Sequence, residues 1–162
     1  MTAQPPAVAP LLVFGWGNPS RGDDALGPLC IERLRAAARP ITEVDLLDDY
    51  QLQIEHALDL VGRSRVLFVD ASLSGPAPFE VTALSARAQA GCTSHALSPQ
   101  ALLQLFRELR GEEPPPATLL AIRGQRFELG APPSAAALAN LNLALAWCKG
   151  WLEQDTGAVA GA

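Results

Sequence analysis

The chain has 162 residues, of which 49% are hydrophobic and 18% are charged, and its formal net charge is −5. This composition is typical of one globular domain with a substantial core, and it excludes a disordered chain. The longest basic cluster is Arg63–Ser64–Arg65, so nucleic acid is excluded as the expected ligand, because phosphate contacts need a basic surface.

The first half of the chain alternates short apolar runs with helical patterns. Strands are predicted at residues 11–14, 41–47 and 66–69. Helices are predicted between them, over residues 25–38 and 52–61. Asp23 or Asp24 is suited to cap the first helix, and Asp70 closes the third strand.

The second half continues the alternation. Strands are predicted at residues 79–84 and 119–122, and residues 126–129 could extend the sheet. Two further helices begin at the capping residues Ser98 and Ser134 and run to about residues 109 and 152. The Pro-rich stretch between them is too short to separate two domains.

Strands that alternate with helices predict the α/β class. We expect a single domain over residues 11–152, with three α/β/α layers and a twisted, mostly parallel sheet of about five strands flanked by helices on both faces. Residues 1–10 are expected to form a flexible N-terminus and residues 153–162 a disordered tail.

The chain offers no pattern of export or membrane insertion. Its first ten residues lack the features of a signal peptide, and its longest apolar stretches are too short to span a membrane. The three cysteines, Cys30, Cys92 and Cys148, are odd in number and widely spaced, which argues against a disulfide framework. We therefore expect a cytoplasmic protein, and a monomer by default.

Polar residues with metal-binding chemistry follow several predicted strands. Ligand sites of open α/β sheets lie beyond the carboxyl ends of the strands, where Asp23, Asp24, Asp70 and His95 are expected. Two carboxylates and one imidazole suit a divalent transition metal and leave positions open for water or substrate. The residues alone also permit simpler roles, because aspartates cap helices and turns and a loop histidine is often exposed.

Three segments resemble the nickel–iron hydrogenase maturation endopeptidases. The first combines Gly15–Trp16–Gly17–Asn18 with the acidic pair Asp23–Asp24 and then Gly27. The second is the apolar strand that ends in Asp70–Ala71, and the third places His95 shortly before a serine-capped helix. The segments occur in the family's order and at similar spacing, and the resemblance covers about residues 11–151.

The resemblance implies a specific activity. Family members cleave a short C-terminal extension from the hydrogenase large-subunit precursor after nickel has been inserted. The resemblance maps the catalytic and metal-contacting positions onto Asp24, Asp70 and His95, whose separate roles stay open. It implies that nickel is carried by the substrate precursor rather than stably bound by the protease.

The sequence departs from the family pattern at two places. Ala25 stands where many members have glycine after the acidic pair, and residues 48–52 replace a glycine-rich turn. The replacement resembles the members that serve soluble, cytoplasmic hydrogenases. We expect Tyr50, Gln51 and Glu55 to contribute to substrate discrimination, because residues after a strand end are often exposed.

The remaining residues of the first motif have expected structural roles. Gly15 and Gly17 would allow a sharp turn and a close backbone approach. Asn18 would brace the loop through bonds to nearby amides. Of the acidic pair, Asp23 is expected to cap the helix and Asp24 to act as the ligand.

Two other functions fit parts of the sequence. A dinucleotide-binding enzyme would also have Gly15–x–Gly17 after a strand, but Ser20 stands where its third glycine should be. A non-enzymatic module that only senses nickel loading of the precursor would use the same ligand residues as a protease.

Overall fold

A computed structural model describes residues 8–37, 43–88 and 97–154. Its five strands are β1 (Leu11–Trp16), β2 (Val44–Asp49), β3 (Arg65–Ser72), β4 (Phe79–Leu84) and β5 (Ala117–Arg123). They form one sheet in the order β2-β1-β3-β5-β4, in which only the β4–β5 pairing is antiparallel. The predicted mostly parallel sheet is therefore confirmed.

The described residues also form three α-helices and two 3₁₀ helices. They are α1 (Leu26–Arg35), α2 (Pro99–Arg110), α3 (Ala135–Glu153) and the 3₁₀ helices Gly22–Ala25 and Ile54–Leu60. Both predicted serine caps are present, because Ser98 Oγ accepts the Ala101 N–H at 3.1 Å and Ser134 Oγ accepts the Ala137 N–H at 3.2 Å. Glu153 still belongs to α3, and residues 155–162 of the predicted tail lie outside the described part, as do residues 1–7 of the predicted N-terminus.

Alternating strand residues separate the core into two layers. Val13, Leu67 and Val69 pack with α1 and α3 on one face of the sheet. Phe14 and Phe68 pack with α2 and the 3₁₀ helix Ile54–Leu60 on the other face. The three-layer α/β/α architecture predicted from the sequence is thus confirmed, and among the described residues no helix has the length and apolar character needed to cross a membrane.

Three sequence predictions about local structure were wrong. Residues 126–129 are not a strand but part of the loop that follows β5. Asp70 lies within β3 rather than after it, because β3 stays paired with β5 as far as Ser72. Neither Asp23 nor Asp24 caps α1, because the 3₁₀ helix Gly22–Ala25 leads directly into it and no side chain bonds to its first amides.

The contact between β1 and α1 depends on two glycines. A Cβ atom on Gly15 would lie 2.5 Å from the Gly27 carbonyl oxygen, and one on Gly27 would lie 2.3 Å from the Trp16 carbonyl oxygen. Gly15 therefore allows β1 and α1 to approach each other closely. It lies within β1 and not in a turn after the strand. This contact sets the position of the N-terminus of α1, and with it the acidic pair just before that helix.

We predict that Gly27→Ala destabilises the protein by about 1 to 3 kcal/mol, because the added methyl group must push α1 away from β1. Gly150→Ala is the control, since a Cβ on that glycine of α3 meets no atom within 4 Å. The control should be stabilised by about 0.5 to 1 kcal/mol through its higher helix propensity. Urea unfolding measures both, and equal stability of the two variants would contradict the proposed contact.

Candidate active site

Two carboxylates meet at the carboxyl edge of the sheet, where the chain order reverses between β1 and β3. Asp70 follows Val69, which pairs with Gly15, so Asp70 lies beside the end of β1. Asp24 lies in the 3₁₀ helix that follows β1, and both aspartates are half-buried. The charge of Asp24 contributes to the pKa of Asp70, so the two carboxylates lie within electrostatic reach of each other.

Asp70 is the carboxyl group with the most unusual environment at this edge. Burial raises its pKa most, a hydrogen bond from the Ala71 N–H at 2.8 Å lowers it, and the charge of Asp24 raises it further. The net result is a pKa of about 7. A carboxyl group with this pKa can take up or release a proton at neutral pH, as a general acid or base must.

Asp24 is held by the loop that it follows. Its Oδ2 atom accepts the Asn18 N–H at 2.7 Å, and the Asn18 side chain accepts the Ser20 N–H at 2.9 Å. Gly17 has a φ of +148°, and a Cβ there would lie 1.9 Å from the Asp24 carbonyl oxygen. The expected bracing role of Asn18 matches this geometry, and Gly17 makes room for the backbone of Asp24.

Asp23 has a structural role that the sequence did not indicate. Its fully buried carboxylate accepts four hydrogen bonds, from the N–H groups of Gln125, Arg126 and Ser134 and from the Ser134 hydroxyl, at 2.6 to 2.9 Å. Burial by itself raises the pKa of Asp23, but these bonds outweigh it and the net pKa is lowered. Asp23 therefore ties the loop after β5 and the start of α3 to the loop that presents Asp24.

The third predicted ligand, His95, lies outside the described residues. Within the described residues, no three histidine, cysteine, aspartate or glutamate side chains come close enough to hold a metal ion. The structure therefore brings together the two described members of the predicted site, Asp24 and Asp70, and the inclusion of His95 stays a prediction.

The three residues predicted to discriminate substrates are all exposed. Tyr50, at 65% exposure, and Gln51 directly follow β2, and Glu55 lies in the 3₁₀ helix Ile54–Leu60. Because β2 pairs with β1 in parallel, these residues lie at the same sheet edge as the acid pair. Their position is compatible with contact to a large substrate, and their role stays a prediction.

One polar pair at this edge was missed by sequence reasoning. His56 Nε2 lies 3.1 Å from Asp49 Oδ2, and Asp49 is the last residue of β2. The sequence showed only a histidine inside the second predicted helix, seven residues after Asp49. His56 is neither an exposed loop residue nor part of the predicted metal site.

The loop between β1 and α1 is unsuited to a dinucleotide. A pyrophosphate would need free amides at the start of the helix. Here the N–H groups of Asn18, Gly22 and Asp23 donate to protein oxygens. Two aspartates add negative charge at the same place, so the geometry gives no support to the dinucleotide-binding interpretation.

Solved structures of hydrogenase maturation proteases have the same fold as this chain. HycI from Thermococcus kodakarensis KOD1 superposes with a TM-score of 0.70 at 21% identity, covering 90% of this chain and 94% of HycI. HybD from E. coli gives a TM-score of 0.68 at 22% identity, covering 85% and 88%. A hydrogenase 2 maturation peptidase from Thaumarchaeota archaeon SCGC_AB-539-E09 gives 0.64 at 21% identity, covering 90% and 99%.

Sequence comparison adds no closer relative. No family model matches the chain, and no curated protein matches it significantly. At such identities the structural likeness establishes the fold over nearly the whole chain, and the expected α/β fold of a maturation protease is therefore confirmed.

Proposed function

We propose that this chain is a hydrogenase maturation endopeptidase, which removes a C-terminal extension from the nickel-loaded large-subunit precursor of a [NiFe] hydrogenase. The observation that carries the proposal is the pair Asp24 and Asp70 at the carboxyl edge of a maturation-protease fold, with the pKa of Asp70 at about 7. Such a pair supplies proton-transfer chemistry where a substrate can reach it.

Hydrolysis of a peptide bond needs a base to activate water and an acid to protonate the leaving amine. At neutral pH the Asp70 carboxyl group is present in both protonation states, so it can serve in either role. Asp24 supplies the neighbouring negative charge, and the imidazole of His95 is the proposed third group.

The donor set also fits nickel held by the substrate. Carboxylate oxygens and an imidazole nitrogen suit a divalent ion of borderline softness. A cation beside Asp24 and Asp70 would relieve the like-charge repulsion that contributes to the raised pKa of Asp70. We propose that Asp24, Asp70 and His95 contact nickel in the precursor, so that an unloaded precursor is a poor substrate.

The proposed partner is a hydrogenase of the soluble, cytoplasmic kind, and the protease is proposed to act in the cytoplasm as a monomer. The exposed side chains of Tyr50, Gln51 and Glu55 are proposed to distinguish this precursor from others. Their exposure at the same edge of the sheet as the acid pair supports contact with a folded precursor.

The proposal is tested by incubating the purified chain with nickel-loaded and nickel-free precursors. We expect the loaded precursor to lose its C-terminal extension, and His95→Ala and Asp24→Asn to lower the rate by at least about 100-fold. Mass spectrometry of the large subunit gives the readout. A stable complex without any shortening of the precursor would instead identify a nickel-sensing binding module, and full processing by His95→Ala would remove the metal-contact proposal.

A further inference from the structure

His56 is a half-buried histidine outside the proposed acid pair, and both of its ring nitrogens have a hydrogen-bond partner. His56 Nδ1 accepts the Gln53 N–H at 2.8 Å, so this nitrogen carries a lone pair. The proton of the neutral ring is then on Nε2, which donates to Asp49 Oδ2 at 3.1 Å. The ring also packs edge-on against Phe14, with centroids 4.5 Å apart. The two hydrogen bonds therefore fix the tautomer of His56, and together with the Phe14 contact they fix the orientation of its ring.

Asp49 links this histidine to the loop of the acid pair. Its Oδ1 atom accepts the Tyr50 N–H at 2.7 Å, so both carboxylate oxygens have partners. Its backbone carbonyl accepts the Gly17 N–H at 3.1 Å. The next residue, Asn18, donates its N–H to Asp24 Oδ2 at 2.7 Å. A continuous bonded route thus runs from His56 through Asp49 and the β1 loop to Asp24.

The strand register also determines where Asp49 lies relative to Asp70. Asp49 pairs with Trp16, and Asp70 lies on the other side of Trp16, so the two aspartates stand in one row across the sheet. Side chains of one row point to the same face. Asp49 and Asp70 therefore lie on the same face of the sheet, two strands apart, with Trp16 between them.

We infer that His56 is a positioning residue of the proposed protease, which holds Asp49 and through it the β1 loop so that Asp24 is presented to the substrate. The inference rests on the proposed function for its kinetic test. His56 does not touch the acid pair, so it acts only through Asp49 and the loop. A residue with this role should affect the rate of the chemical step more than the binding of the precursor.

The test compares His56→Ala with His56→Gln, whose amide can accept from the Gln53 N–H and donate to Asp49. Leu58→Ala, at an exposed position of the same 3₁₀ helix, is the control. With nickel-loaded precursor, His56→Ala should lower kcat about 10-fold and change KM by less than about twofold. His56→Gln should restore kcat to within about threefold of the wild type, and the control should change neither constant.

An independent readout separates this inference from the proposed function. In amide NMR spectra without substrate, His56→Ala should shift the Gly17 and Asn18 resonances, and Leu58→Ala should leave them in place. Unshifted resonances, wild-type kcat in His56→Ala, a loss confined to KM, or failure of glutamine to restore kcat would each overturn the inference. If the wild type itself cleaves no precursor, the proposed function fails, while the resonances still decide whether His56 controls the loop.

Discussion

Asp70→Asn is expected to stabilise the protein at pH 8 while it abolishes precursor processing. The folded chain holds the pKa of Asp70 at about 7, whereas the ordinary pKa of an aspartate side chain is 3.8. Between pH 3.8 and pH 7 the folded state binds more protons at Asp70 than the unfolded state does. The free energy of unfolding therefore falls as the pH rises through this window. The destabilisation by the ionised Asp70 carboxylate is fully present above pH 7.

The difference between the two pKa values corresponds to about 4 kcal/mol, and we expect a gain of about 2 to 4 kcal/mol for Asp70→Asn at pH 8. Asparagine keeps an oxygen that can accept the Ala71 N–H, so the gain comes from removing a half-buried charge beside Asp24. Near pH 4 the gain should nearly vanish, because Asp70 is then protonated in the folded wild type.

Urea unfolding at pH 4 and pH 8 measures this effect, and the precursor assay measures activity on the same samples. Glu80→Gln is the control, because it removes an exposed carboxylate on the edge strand β4. The control should change stability by less than about 0.5 kcal/mol at either pH and leave processing intact. A variant Asp70→Asn that processes normally, or that is no more stable at pH 8 than the wild type, would contradict the assignment of this carboxyl group.

Asp23→Ala is expected to destabilise the protein by about 3 to 5 kcal/mol, because it removes a buried acceptor and leaves four donors without a partner. Three of those donors are backbone N–H groups of the loop after β5 and of Ser134. The neighbouring variant Asp24→Ala removes one side-chain hydrogen bond within the described residues, from the Asn18 N–H, and should cost about 1 kcal/mol.

Urea unfolding at pH 7 compares these two adjacent aspartates directly. The pH dependence gives a further check, because the pKa of Asp23 is lowered in the fold. The stabilisation by Asp23 is present above the ordinary aspartate pKa of 3.8 and is lost as the pH falls through the lower pKa of the folded state. Equal losses for Asp23→Ala and Asp24→Ala would show that the four bonds do not hold the two loops together.

Local patterns in the sequence predicted most of the architecture. Apolar runs identify buried strands, and Ser98 and Ser134 mark helix starts because a hydroxyl before the first turn has a defined partner. The location of Asp24 and Asp70 at the carboxyl edge of the sheet also followed from the α/β pattern, although the exact end of β3 did not. These features depend on neighbours in the chain, so a single sequence contains the necessary information.

Features that depend on distant contacts were not predictable in this way. The partners of Asp23 lie more than 100 residues away, and only the fold brings them to its carboxylate. The thiols of Cys30 and Cys148 likewise meet at 3.9 Å although nothing in their spacing indicated a contact. The end of β3 was misplaced because its length is set by pairing with β5 rather than by its own residues.

The bonds to Asp23 come mainly from main-chain amides, and this has a consequence for sequence drift. A main-chain N–H is present whichever non-proline side chain occupies the position. Residues 125 and 126 can therefore be exchanged freely while their bonds to the carboxylate persist, whereas the acid itself has no substitute of equal reach and charge. An arrangement of this kind tolerates extensive divergence around a few fixed positions, as in a fold that this chain has in common with proteins only about one-fifth identical to it.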